Sequence, residues 1–257
     1  MIHPTAIIDS KTEIGGSVDI GPYCVIEKDV SIGEETKIGP HVVIREGTQI
    51  GKQCQISQFA SIGEAPQFSG YKGEKTFLQI GDRNIIREFV TLHRGTVKGG
   101  GKTVIGNENF IMAYSHVAHD CQTGNGVIMA NGATLAGHIL IEDFAIIGGL
   151  TAIHQFCRVG THALIGGVSG VLMDIPPYTK AQGAPVKLFG LNTVGLKRAN
   201  FSEETIRALK KAYRIIFRSN LTLEKALKQV GEDEISQLLE VQHLLEFIQH
   251  SKRGISR

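Results

Sequence analysis

The chain has 257 residues, 42% hydrophobic and 20% charged, with a formal net charge of +2. That length suffices for a sizeable core, and the near-balanced charge gives no reason to expect nucleic acid or membrane as the main partner. No apolar run approaches the ~20 residues needed to cross a bilayer, and Met1-Ile2-His3-Pro4 lacks the cationic start and apolar block of a secretory signal. The expectation is a cytoplasmic chain with no stable membrane insertion.

From the first residues the sequence is periodic. Every sixth residue from Ile2 is isoleucine: Ile8, Ile14, Ile20, Ile26, Ile32, Ile38, Ile44, Ile50, Ile56 and Ile62. A small residue follows four places after most anchors, as at Ala6, Val18, Cys24 and Thr36, and glycine often follows the anchor directly, as in Ile32-Gly33 and Ile50-Gly51. A helical period cannot put every sixth residue on one face. A triangular coil can, with three six-residue sides to each turn and the anchors inside. Glycine is then expected at the corners, where the backbone bends and φ turns positive. The absence of tryptophan suits so narrow a prism. Cys24, Cys54, Cys121 and Cys157 all fall at the small position and read as buried thiols.

Two segments interrupt the count, near 63–79 and 93–104. The first puts Phe68 and Glu74 at anchor places; the second carries Gly99-Gly100-Gly101 and shifts the phase. Between and after them the anchors resume at Ile80, Ile86 and Leu92, then from Ile105 to Val171 with Thr123 as the polar exception. Taken in threes, Ile62, Leu92, Val117, Leu135 and Ile153 form one column, and each insertion leaves directly after a member of it. Insertions on one face of a solenoid mark a binding face.

The same counting gathers histidines. One place after the column anchors stand His93, Ala118, Ala136 and His154; the next place holds Arg94, His119, Gly137 and Gln155; the third holds Gly95, Asp120, His138 and Phe156. His116 precedes Val117 at the same edge. A lone histidine reads as a surface residue; His93, His116, His119, His138 and His154 on one edge beside both insertions read as a site. Metal binding and acid–base chemistry both suit clustered imidazoles. In the pair His119-Asp120 a carboxylate can orient a base, and Gly137 one coil away can offer its N–H to an oxyanion.

After Pro176-Pro177 a Gly/Pro-containing connector is expected to about Asn192. The period then turns helical, with Ile206, Leu209, Tyr213, Ile216 and Phe217 after a candidate N-cap at Ser202, a second stretch after Thr222 and a third over Ile235–His250. The division is thus a solenoid over 1–191 and a helical domain over 192–257, the tail packing on the last coils and closing the solenoid's end. Arg207, Lys210, Lys211, Arg214 and Arg218, with Arg198 before them, outnumber Glu203 and Glu204, which suits an acidic partner.

These segments together resemble the UDP-N-acetylglucosamine O-acyltransferases, the family that opens lipid A synthesis. The likeness is carried by Gln58-Phe59-Ala60-Ser61-Ile62-Gly63-Glu64, Ile80-Gly81-Asp82-Arg83-Asn84, Leu92-His93-Arg94-Gly95-Thr96, His116-Val117-Ala118-His119-Asp120-Cys121, Leu135-Ala136-Gly137-His138, Ile153-His154-Gln155-Phe156 and Gly195-Leu196-Lys197-Arg198, in the family's order. The resemblance implies a left-handed β-helix with a C-terminal helical domain, assembled as a homotrimer with each active site between two subunits. It implies transfer of an (R)-3-hydroxyacyl chain from acyl carrier protein to the 3-hydroxyl of a UDP-sugar. His119 would be the general base, Asp120 its orienting partner and the Gly137 N–H the oxyanion donor. His93, His116, His138, His154, Gln155 and Gln67 would line the substrate cleft, with Asn192 and Arg198 near the nucleotide and pantetheine arm. Gly167 would set acyl length, its lack of side chain suggesting a longer chain such as 3-hydroxymyristoyl. No metal and no resident cofactor are implied. One departure stands out: the family's usual Gln-Asp-Leu-Lys is here Gln67-Phe68-Ser69-Gly70. Tyr71 and Lys72 are candidates to supply the missing polar groups; alternatively the acceptor is a 3-amino analogue of the UDP-sugar, giving an amide. A γ-class carbonic anhydrase, the remote alternative on this coil, would need three histidines around zinc.

Overall fold

The computed structural model describes all 257 residues. Short parallel strands wind through three faces, forming sheets of nine, eight and ten strands. The first face runs from Ile7–Ile8 to Gly170–Val171, the second from Glu13–Ile14 to Arg158–Val159, and the third from Asp19–Ile20 to Leu164–Ile165 before its terminal hairpin. Register follows the anchors: Ile62 pairs Leu92, Leu92 pairs Val117, Val117 pairs Leu135, and Leu135 pairs Ile153. The column expected from counting is therefore the first face itself. Stacked anchors bury completely or nearly so, Ile62, Leu92, Val117 and Leu135 being wholly inaccessible. The four cysteines are buried and unbridged beside them.

The corners correct one expectation. Positive φ falls three places after the anchor and mostly on side-chain-bearing residues: Tyr23, His41, Phe59, Phe89 and Tyr114 all lie between 57° and 62°. Their rings stack from coil to coil with centroids 4.9–5.2 Å apart, so like-on-like stacking helps offset a left-handed conformation that costs a non-glycine residue about 1–2 kcal/mol. Glycine directly after the anchor serves closeness instead. A Cβ on Gly33 would lie 2.5 Å from the Gly51 carbonyl carbon, and one on Gly51 2.5 Å from that of Gly81. At this corner successive coils touch backbone to backbone.

Both interruptions are shorter than expected. Strands Ser61–Glu64 and Phe77–Ile80 bracket the first, and Thr91–His93 and Lys102–Ile105 the second. Phe77–Ile80 and Lys102–Ile105 pair over all four residues, which pulls the loop ends back into the coil. The stretch before Asn192 is also no plain connector: Thr179–Gln182 continues the third face and turns back as Lys187–Leu191, antiparallel to it.

Four α-helices follow: α1 (Thr193–Arg198), α2 (Glu203–Arg218), α3 (Leu223–Gly231) and α4 (Leu239–Gln249). Ser202 and Thr222 cap α2 and α3 by accepting from the Thr205 and Lys225 N–H groups. The third expected stretch divides at Leu238 into a 3-10 turn (Glu234–Gln237) and α4. One hydrophobic cluster runs from Val18 through the coil to Leu209, Leu244 and Ile255, so coil and helices share a core. Arg158 ties them, its guanidinium 4.1 Å from the Phe247 ring centre and near Glu142, which also bonds His243 of α4.

Candidate active site

The corner leaving the first face collects the histidines. His119 sits two places after Val117 with its side chain 13% exposed, while the Asp120 side chain is fully covered. His119 Nδ1 lies 2.8 Å from Asp120 Oδ2. A carboxylate only accepts, so Nδ1 carries the proton and Nε2 keeps a free lone pair. Asp120 is itself held at φ 62°, and its N–H donates to Thr103 Oγ1 at 2.8 Å.

The glycine one coil on is required by that ring. A Cβ on Gly137 would lie 2.6 Å from His119 Cε1 and 2.9 Å from Nε2. The Gly137 carbonyl accepts from Phe156, but its N–H has no partner in the chain. Pro22 and Pro40 occupy the same place in other coils, because the turn leaves that N–H free. At Gly137 that donor is free, on a glycine packed against the imidazole.

Around this pair the counting holds in part. His138 brings Nε2 to 3.6 Å from Asp120 Oδ2, edge-on to His119, and stacks on Phe156 at 4.6 Å. His93 and His116 meet edge to face at 4.9 Å. His116 Nδ1 bonds Thr91 Oγ1 at 2.7 Å, and burial, aided by His119, lowers its pKa. His93 is 3% exposed with Nδ1 unpartnered; burial first, then His116, pushes its pKa down to about 4. It is a neutral imidazole with an open nitrogen. His154 and Gln155 lie exposed at the far end, His154 Nδ1 contacting the Gln155 carbonyl at 3.2 Å rather than the other histidines.

The insertions supply what counting missed. Thr96, in the second, donates its N–H to Asp120 Oδ1 and its hydroxyl to Oδ2, each at 2.7 Å. Phe68, in the first, has its ring centre 5.8 Å from that of His119 and 5.9 Å from Lys98 Nζ. Gln67 is exposed. The Tyr71 hydroxyl donates to the Glu74 carbonyl at 2.7 Å and the Lys72 backbone N–H to the Glu74 carboxylate at 2.8 Å, closing the loop on itself and leaving the Lys72 ammonium outside these bonds. A loop that leaves the coil gives no column from which such contacts could be counted.

Other candidates stand elsewhere in the single chain. Gly167 turns the corner between third and first faces, beside Gly149. Asn192 is buried as the cap of α1, accepting from the Gly195 N–H and donating to the His162 carbonyl. Arg198 is exposed at the end of α1. Of the basic residues, Arg207, Lys210, Lys211 and Arg214 line one concavity, though Lys211 pairs with Asp233. Arg218, also exposed, does not line it and donates to the Leu188 carbonyl at 3.0 Å, tying α2 to the hairpin.

Donor atoms of His119, Asp120 and His138 lie within 4.8 Å of one another, a set of two imidazoles and one carboxylate rather than three imidazoles. Asp120 Oδ2 already accepts from Thr96 and faces the His119 Nδ1–H, which is the arrangement of a base with its orienting carboxylate.

A parallel coil of hexads carrying a His–Asp pair beside an open backbone donor defines a hexapeptide-repeat acyltransferase. Sequence and structure comparisons agree. Residues 29–64 and 102–137 match the bacterial transferase hexapeptide repeats, and 174–256 match domain 2 of UDP N-acetylglucosamine O-acyltransferase. The acyl-[acyl-carrier-protein]–UDP-N-acetylglucosamine O-acyltransferases of Thermodesulfovibrio yellowstonii and Anaeromyxobacter dehalogenans are 58% and 56% identical, each alignment covering 100% of this chain and 99% of the relative. Among solved structures, LpxA from Acinetobacter baumannii superposes with a TM-score of 0.97 at 45% identity, covering 100% of this chain and 99% of that one. The Bacteroides fragilis UDP-N-acetylglucosamine acyltransferase gives 0.98 at 42%, covering 100% of both. The chain belongs to the acyl-[acyl-carrier-protein]–UDP-N-acetylglucosamine O-acyltransferase family, and its solenoid is that family's left-handed β-helix.

Proposed function

We propose that this chain transfers an (R)-3-hydroxyacyl group from the thioester of acyl carrier protein to the 3-hydroxyl of UDP-N-acetylglucosamine, the first step of lipid A synthesis. The observation that carries the reading is the His119–Asp120 pair, with Nε2 free, packed against Gly137, whose N–H is unpaired. Nε2 takes the proton of the sugar 3-hydroxyl as its oxygen attacks the thioester carbonyl. The tetrahedral oxyanion receives the Gly137 N–H. Collapse breaks the C–S bond, and the imidazolium returns its proton to the leaving pantetheine sulfur. Atoms and charge balance without a metal or resident cofactor.

The active unit in this reading is a homotrimer. Its support is an outward apolar row on the third face, where Ile85, Phe110, Ile128, Ile146 and Leu164 pair side by side, edged by Leu150 and Val168 at 70% and 71% exposure. A neighbouring copy would bring Gly167, Asn192 and Arg198 toward His119, and Gly167 would leave the groove open to a long acyl chain. The concavity at Arg207, Lys210, Lys211 and Arg214 is the proposed seat of the acidic carrier protein. No helix is long and apolar enough to cross a membrane; the proposed compartment is the cytoplasm, where the carrier protein donates its chain.

A second reading draws on Phe68, which puts a phenyl ring beside His119 where relatives' usual pattern puts a carboxylate. There the acceptor is the 3-amino analogue and the product an amide. The test offers purified protein both acceptors with one acylated carrier protein. Faster transfer to UDP-N-acetylglucosamine supports the ester; clear preference for the 3-amino sugar overturns it.

A further inference from the structure

The second insertion does more than decorate the corner. Thr96 caps its 3-10 turn (Val97–Gly99), accepting the Gly99 N–H at 3.2 Å while its hydroxyl lies 2.7 Å from Asp120 Oδ2. With a lone pair of Oγ1 occupied by Gly99, the hydroxyl hydrogen is directed at the carboxylate, which can only accept. The Thr96 N–H meets the other oxygen, Oδ1, at 2.7 Å. Gly99 packs so closely on the Asp120 carboxyl that any side chain there would overlap it. The loop is itself fixed, Thr96 O accepting from Gly101 at 2.8 Å and Gly95 donating to Phe77 O at 3.1 Å.

We propose that Thr96 is a positioning residue for the transfer: its paired donors hold the Asp120 carboxylate in the plane that keeps the His119 proton on Nδ1 and the lone pair on Nε2. This rests on His119 being the base. Buried hydrogen bonds to a charged group are stronger than neutral ones and strongly directional. Here they come from an inserted loop rather than from the repeat. The coil supplies base and oxyanion donor; the insertion supplies their alignment.

Thr96→Val keeps the shape and the backbone donor and removes the hydroxyl. The expected result is a fall in kcat of roughly 10- to 100-fold with KM for both substrates unchanged within about twofold, the pattern of an interaction lost in the transition state. Thr96→Ser, which restores the hydroxyl, should recover most of the rate. Nitrogen-15 NMR of the His119 ring should show the Nδ1–H form in the parent and Thr96→Ser, and a mixture with Nε2–H in Thr96→Val. An unchanged kcat and tautomer in Thr96→Val overturns the proposal, as does an equal loss in Thr96→Ser accompanied by a lowered melting temperature. His119→Ala is the control that separates the two readings. If it keeps activity, the base assignment fails, and the tautomer measurement still reports whether Thr96 orients the ring.

Discussion

The His119 imidazole rests on the bare backbone of Gly137, so closely that an added methyl would fall 2.6 Å from its Cε1. Base and oxyanion donor are set one strand spacing apart by pairing of Val117 with Leu135. Gly137 is not among the positive-φ residues, so alanine suits its backbone. Gly137→Ala should keep the melting temperature near that of the parent while displacing the ring, and kcat should fall by roughly 100-fold, the scale of a 1 Å misplacement. Steady-state kinetics beside a thermal melt checks both halves; full activity would show that the contact is not part of the transfer.

Removing the base should be more severe. His119→Ala is expected to lower kcat by about 10²–10⁴-fold while leaving the assembly intact, as measured by acyl transfer and sedimentation. Retained activity would remove His119 from its role.

His93 makes stability depend on pH. Its native pKa of about 4 lies below the ordinary 6.5 because burial disfavours the cation. Between those values the unfolded chain binds a proton that the native chain refuses, so stability falls as pH drops from 6.5 toward 4. The contribution of this one group is on the order of 3 kcal/mol. His116 and His138 shift in the same direction. His243 shifts the opposite way beside Glu142, so its contribution is full below 6.5 and is lost as pH rises through its native value. Urea unfolding across pH 4–7 should show the acid loss, with a shallower slope in His93→Gln; equal slopes would contradict it.

Glycines after the anchors should divide by surroundings. Gly33→Ala puts a methyl against the Gly51 backbone and should cost about 1–3 kcal/mol, the price of overpacking. Gly16→Ala meets nothing within 4 Å and should be nearly neutral. Denaturant midpoints distinguish the two, and equal midpoints would argue against close backbone approach.

The outward row on the third face should hold copies together. Phe110→Glu combined with Ile128→Glu places charges where apolar rungs pair and should yield monomers by sedimentation, with transfer lost. An intact, active trimer would move the interface elsewhere.

Counting in sixes was enough to find the first-face column, the His119–Asp120–Gly137 set and the buried cysteines, because a solenoid converts sequence interval directly into spatial neighbour. It failed where chemistry leaves the period. Thr96 belongs to a loop whose phase is lost, and Phe68 to one that keeps the count of six but leaves the coil, so their contacts with Asp120 and His119 have no signature in the interval. Left-handed corners held by Tyr23, Phe59 and Tyr114 were read as glycine's work, because their support is stacking between coils rather than local conformational freedom. The bonds of Asn192 to the Gly195 N–H and the His162 carbonyl, and of one Arg218 nitrogen to the Leu188 carbonyl, likewise have no signature in the interval.

The site is built in interior coils. Strands His116–Val117 and Thr134–Leu135 have first-face neighbours on both sides, in an order that runs from Ile7–Ile8 to Gly170–Val171. In a stack where each layer touches only the next, local opening starts at free layers and advances inward. The amides of Ala118 and Ala136, bonded to Leu135 and Ile153, should therefore be among the last to exchange with deuterium. The repeat shields its catalytic layers from fraying at either end of the stack.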